Sequence, residues 1–220
     1  MVFFLMDWKG INEGIVKKSR KTIYLFSAIL VVLALILSLS EKGINTLFLA
    51  NDFGYLSFIF ISLALLVTPI RRIFPLFPFN PTMVYARRAL GVSAFSFALL
   101  HFLTHFLFTF SGKIEAVLFA NEISNFGISF GSVSLIIFFA LFLTSTNWAV
   151  KKLGRNWFRL HQLVYVAYPF IIWHAIRTGA DFREKTIFAT IFLAVAGITI
   201  VLEAGRIFLY LKQKKKQKME

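Results

Sequence analysis

The stretch RRALGVSAFSFALLHFLTH, residues 87–105, decides how this chain is read. A pair of arginines opens it, and an almost unbroken apolar run follows, with His101 and His105 inside the run. About twenty apolar residues are enough to cross a bilayer hydrocarbon core of about 30 Å. An ionisable side chain within such a run is costly and by default marks a functional position. All four histidines of the chain (His101, His105, His161 and His174) lie in stretches of this kind.

The rest of the chain agrees with a membrane reading. It has 220 residues, 58% of them hydrophobic, with 28 Phe and a mean hydropathy of +0.76, which is more apolar than a soluble domain needs to be. Apolar runs of about twenty residues fall at 23–40, 53–70, 84–110, 128–146, 160–176 and 186–211. The expected fold is therefore an all-α integral membrane protein, a bundle of six transmembrane helices. The expected organisation is a cytoplasmic N-terminal segment (1–22), a transmembrane domain (23–211) and a basic cytoplasmic tail (212–220).

Charge assigns the sides. The net charge is +14, and the basic residues are unevenly spread. Nineteen of the 24 Lys and Arg lie at the N-terminal segment, the second and fourth interspan connections and the C-terminal end. Only Lys42, Lys113, Arg177, Arg183 and Lys185 fall on the other side. The positive-inside rule puts both termini in the cytoplasm. The basic excess is thus read as topology and contact with anionic lipid, not as a nucleic-acid surface. KKSRK (17–21) precedes the first run, but SLSEKG (38–43) is a poor cleavage site, so the run is read as a retained span.

With no cysteine, disulfides, iron–sulfur clusters and thiolate ligands are excluded. No G-x-G-x-x-G follows a strand, so no built-in dinucleotide domain is expected. If the chain moves electrons, a quinone, a small flavin such as FMN, or another protein supplies them.

Helical rise sets the depth of each histidine. His101 lies thirteen residues past Arg88 and His174 fifteen past Arg159, each about 20 Å from the cytoplasmic surface at 1.5 Å per residue. The two spans run parallel, so these imidazoles come to one height, as a low-spin haem b requires. For either histidine alone, a buried polar contact is the simpler reading; the level-matched pair favours haem iron. His161 sits near the cytoplasmic interface with Arg155 and Arg159. Its role is open between ligating a second haem, contacting a quinone or flavin donor, and plain interfacial placement. A symmetric two-haem stack is not supported, because Arg88 stands where the facing ligand would be. His105 shares a helix face with His101; its role is open between a contact to the cofactor, such as a propionate, and an ordinary buried polar residue. Gly91, Ser93, Ala94 and Ala98 give span three a small-residue face, more simply for helix packing than for a porphyrin.

These motifs resemble a known family. RRALGVSAFSFALLHFLTH (87–105) is similar to the Arg-Arg-x-Leu-Gly…Leu-His element of the MsrQ (YedZ) family. TSTNWAVKKLGRNWFRLHQLVYVAYPFIIWH (144–174) resembles its Thr-Ser…Leu-Gly-x-x-Trp…Leu-His-x-x-Val-Tyr…His block, and LLVTPIRR (65–72) the end of its second span. The resemblance implies a haem-binding inner-membrane subunit of a bacterial periplasmic methionine-sulfoxide reductase system, within the ferric-reductase-like transmembrane group. It implies that His101 and His174 ligate haem b and that His161 is the further functional histidine. Electrons would come from the quinone pool or a cytoplasmic flavin reductase and pass to a periplasmic molybdopterin-containing reductase. Two departures stand out: ISNFGISFG (123–131) lacks an expected Arg-Pro element, and His105 replaces an aromatic. The alternatives are a stand-alone ferric or cupric reductase, an oxidase-like cytochrome, or a haem-bearing sensor or assembly protein without turnover.

Overall fold

The computed structural model describes the backbone of residues 8–40, 43–119 and 122–217. Residues 1–7 of the expected cytoplasmic segment and 218–220 of the basic tail lie outside the described residues, as does Lys42.

The regular structure of the described residues is helical apart from a two-residue antiparallel pairing, β1 (Leu39–Ser40) with β2 (Gly43–Ile44). The helices are α1 (Trp8–Leu37), α2 (Thr46–Ile73), α3 (Asn80–Thr104), α4 (Ile114–Leu118), α5 (Glu122–Leu143), α6 (Asn147–Leu153), α7 (Arg155–His161), α8 (Val164–Thr178), α9 (Ala180–Glu184) and α10 (Ile187–Gln217). Five stretches are long and apolar enough to cross a membrane: Lys18–Leu37, Thr46–Ile73, Asn80–Thr109, Phe126–Leu143 and Ile187–Lys215. The third continues through one π-helical turn, His105–Thr109.

The expected fifth span is built in two pieces. α7 and α8 are separated only at Gln162 and Leu163, and Leu163 N donates to Leu160 O while Tyr165 N donates to Gln162 O. The chain therefore stays helically bonded through the turn. α8 has 15 residues, about 22 Å at helical rise, and alone it is short for a span.

Local chemistry explains the ends. Asn45 caps α2 by accepting from Phe48 N, and Thr146 caps α6 by accepting from Ala149 N. Of the proline-rich stretch 69–81, only residues 74–79 run outside a helix. Pro69 lies buried inside α2, and Pro81 sits in the first turn of α3, where it has no amide to lose.

α3 lies between α1 and α2, α10 packs on α2, and α5 packs on α8. The core sits where α2, α8 and α10 meet. There the Phe58 ring stacks on Phe192 at 3.7 Å and on Tyr168 at 5.7 Å. Lipid tails are as apolar as these side chains, so burial against lipid offers little gain. Close packing and interhelical hydrogen bonds must hold the bundle. The small face of α3 serves this purpose: Ser27 of α1 bonds to the Ser93 hydroxyl at 2.8 Å, and Ser57 of α2 donates to Ala94 O at 2.9 Å. Leu25, Phe26, Ile29, Val32 and Ile36 of α1 are exposed, as expected for a face turned to lipid.

Candidate functional site

His101, on α3, has its Nδ1 2.7 Å from the carbonyl oxygen of Ala50 in the first turns of α2. His174, on α8, has its Nδ1 2.9 Å from the carbonyl of Gly127 in the first turns of α5. A carbonyl can only accept, so in both rings Nδ1 carries the proton and Nε2 the lone pair. The two ring centres are 5.9 Å apart and the ring planes cross at 85°. His105 completes the cluster, its ring edge-on to His101 at 4.9 Å, with its Nδ1 3.0 Å from the Thr109 hydroxyl.

The other two expected site residues stand elsewhere. His161 closes α7 and stacks on Trp157, with ring centres 4.0 Å apart. Its Nε2 is 3.2 Å from the Thr144 hydroxyl. That hydroxyl gives its hydrogen to Ala140 O at 2.8 Å, so His161 Nε2 donates and Nδ1 holds the lone pair. The tautomer is the reverse of that at His101 and His174. Trp157 Nε1 donates to Thr144 O at 2.9 Å. Gly154 makes this arrangement possible. At φ 50°, ψ −121° it occupies backbone space that side chains forbid, and it turns α6 into α7 so that Trp157 and His161 face the end of α5. The Leu-Gly-x-x-Trp…Leu-His spacing is thus a single structural unit. Arg88 donates to Asn147 Oδ1 at 2.6 Å and Arg87 to Thr68 Oγ1 at 2.9 Å, and both lie within electrostatic reach of the His161 ring.

Glu203 pairs with Arg206 at 2.6 Å, and the buried Glu203 also accepts from the Tyr165 hydroxyl at 3.4 Å. Arg177, expected on the external side, lies over the Trp173 ring at 5.2 Å. Sequence reasoning did not find Asp181, whose two oxygens accept from Tyr55 (2.8 Å) and Thr186 (2.7 Å). The Tyr55 bond ties the short helix α9 back to α2, and the Thr186 bond holds Asp181 from the following turn. No apolar periodicity signals such a contact, because its residues are 126 positions apart. Among the described residues no group of three His, Cys, Asp or Glu side chains is placed to hold a metal ion.

Comparison with known proteins bears on this arrangement. Residues 53–172 match the family described as ferric reductase like transmembrane component. Proteins of Brucella ovis, Brucella canis and Brucella melitensis biotype 2 are each named protein-methionine-sulfoxide reductase heme-binding subunit MsrQ. Each is 36% identical to this chain over 137 residues, which is 62% of this chain and 60% of the relative. The chain therefore matches about three fifths of the length of these relatives. The family match covers α3 whole, with His101 and His105, and runs through His161 into α8, in a chain whose long apolar helices mark a multi-pass membrane protein. The chain belongs to the ferric-reductase-like transmembrane component family.

Proposed function

We propose that this protein is a b-type cytochrome subunit of the bacterial inner membrane. It would carry electrons from quinol or a cytoplasmic flavin donor to a periplasmic molybdopterin-containing reductase of methionine sulfoxide. The observation that carries the reading is the imidazole pair. An imidazole nitrogen lies about 1.1 Å from its ring centre, and a metal–imidazole bond is about 2 Å long. Two rings on one iron therefore have centres about 6 Å apart, against 5.9 Å between His101 and His174. Each ring has its Nδ1 bonded to a backbone carbonyl and its Nε2 unprotonated, the state a metal ligand needs. A site with two imidazoles and no third ligand suits haem, because the porphyrin provides the other four nitrogens.

When bound, haem supplies a one-electron couple between the two halves of the bundle. His101 and His174 would hold it from α3 and α8, and His105, one turn from His101, would add a polar contact to it. His161 and Arg88 form the donor side: the Nδ1 lone pair of His161 can accept from a quinol hydroxyl, while the positive charge of Arg87 and Arg88 beside it suits the phosphate of FMN. A second haem fits this end less well. The other three histidines cluster elsewhere, and thirteen residues of helix, about 20 Å, separate His161 from His174. Reducing a sulfoxide to a thioether takes two electrons and two protons and releases one water, and that chemistry belongs to the partner. We place six spans in the membrane, counting α7 and α8 with their turn as the fifth, and put both termini in the cytoplasm. Residues 1–22, 23–211 and 212–220 are then the cytoplasmic segment, the haem-binding domain and the lipid-facing tail.

The test is a dithionite-reduced minus oxidised spectrum of the purified protein, with haem quantified per chain. Wild type gives a sharp b-type α-band; His101→Ala and His174→Ala lose it while still inserting. An unchanged band in both variants overturns the assignment.

A further inference from the structure

The two ligand histidines are held in the same way, by parts that the sequence repeats. In α2, Ala50 offers its carbonyl to His101, and Gly54, four residues on, lies under the imidazole. A Cβ on Gly54 would sit 3.0 Å from His101 Nδ1. In α5, Gly127 offers its carbonyl to His174, and Gly131, again four residues on, lies under that ring. A Cβ on Gly131 would sit 2.6 Å from His174 Nδ1 and 2.9 Å from Cε1. The parallel extends one turn down each partner helix. Phe97, four before His101, stacks on Phe53 at 6.4 Å; Phe170, four before His174, meets Phe130 at 4.9 Å. In sequence, ANDFG (50–54) and GISFG (127–131) face FALLH (97–101) and FIIWH (170–174).

Helix geometry says why a glycine is needed at that offset. Each Cα–Cβ bond tilts toward the helix N-terminus, so the side chain at one position covers the turn before it, including the carbonyl four residues earlier. That carbonyl already accepts the helical amide bond but keeps a second lone pair. Removing the side chain opens this lone pair to a group on a neighbouring helix.

We propose that Gly54 and Gly131 are positioning residues in two copies of one device: each uncovers a carbonyl that takes the Nδ1 proton of the facing histidine, aiming Nε2 inward and setting the two imidazoles across one another. The proposal rests on the reading of His101 and His174 as haem ligands and names the residues that aim them. The observed planes cross at 85°. Crossed axial imidazoles leave two iron d orbitals nearly degenerate, so the ferric protein should give a strongly anisotropic low-spin signal with a large maximal g value. Parallel planes would give an ordinary rhombic trio.

The experiment uses the full chain, purified with haem, as wild type, Gly131→Ala, Gly54→Ala and Gly197→Ala, the last being a control because a Cβ there meets nothing within 4 Å. Haem per chain, haem affinity and low-temperature electron paramagnetic resonance are measured for each. The expected result is a large-g signal in wild type and Gly197→Ala. In Gly131→Ala that signal is replaced by a rhombic or high-spin one, and haem affinity falls by about 10- to 100-fold, as for lost outer-shell support of a metal ligand. The tighter contact predicts a larger effect at Gly131 than at Gly54. A purely packing role for the glycines would change stability and leave the signal shape alone. Both glycine variants matching wild type with haem retained would overturn the proposal while the haem reading stands. A rhombic signal in wild type would overturn it even if no variant inserts. Wild type with no b-type spectrum would remove the haem reading and this inference with it.

Discussion

A buried hydrogen bond joins α2 to α8, and its worth can be worked out. Ser62 of α2 and Tyr168 of α8 are 1% and 5% exposed, and their hydroxyl oxygens are 2.8 Å apart. Ser62 gives its only hydrogen to Phe58 O at 2.8 Å, so Tyr168 is the donor between the helices. Replacing Tyr168 with Phe removes that donor and leaves Ser62 satisfied by its own helix. The cost is then the interhelical bond itself, about 0.6 kcal/mol and at most about 1.7 in a membrane interior. At about 1.4 kcal/mol per decade, 0.6 corresponds to about a threefold change in the unfolding constant. Ser62→Ala leaves the Tyr168 proton to find a new acceptor. Thr199, buried beside it and already donating to Val195 O, can accept it, so this loss should be equally modest. The assay is a double-mutant cycle, Tyr168→Phe with Ser62→Ala, followed by reversible unfolding in mixed micelles. A coupling energy of about 0.6 kcal/mol is expected. A coupling of zero would refute the bond between the two hydroxyls, and a value well above 2 would refute the claim that only one bond is lost. α2 also carries Gly54 and α8 carries His174. A haem spectrum unchanged in Tyr168→Phe shows that the histidine pair is held locally.

Three further outcomes follow from the turn at His161 and from α9. His161→Ala should keep the b-type α-band yet slow its reduction by quinol or flavin donor by at least about tenfold, as read by stopped-flow spectroscopy; loss of the band would make His161 a ligand instead. Gly154→Ala should cost about 1–3 kcal/mol, the price of forcing a side chain into that backbone region, and should lower the thermal midpoint while haem content holds; an unchanged midpoint would show that the α6–α7 turn relaxes freely. Tyr55→Phe removes the bond from α2 to Asp181 and should speed proteolysis within α9, whereas cleavage at wild-type rate would mean that Thr186 alone secures Asp181.

Much of this protein was legible before any tertiary contact was known. Runs of about twenty apolar residues demand helices, because only internally bonded backbone survives in hydrocarbon. The constant rise of a helix turned the spacings Arg88–His101 and Arg159–His174 into matching depths, and these two rings indeed come within 5.9 Å of one another. The motif at 144–174 flagged Gly154, Trp157 and His161 as a group, and they form one turn at the end of α5. The break at Gln162 and Leu163 was not legible, since i→i+3 bonding there leaves the apolar pattern intact. Nor was the direction of any imidazole. Every residue carries a carbonyl, so Ala50 and Gly127 bear no mark in the sequence that distinguishes them as acceptors. The echo of ANDFG and GISFG becomes meaningful only when α2 is laid against α3 and α5 against α8. Sequence determined which runs are helical and apolar enough to cross a membrane and how far along its run each histidine lies, because both follow from local periodicity and fixed rise. Tertiary structure alone decided which ring nitrogen is free and how the two planes cross, because those depend on a lone pair presented by a different helix.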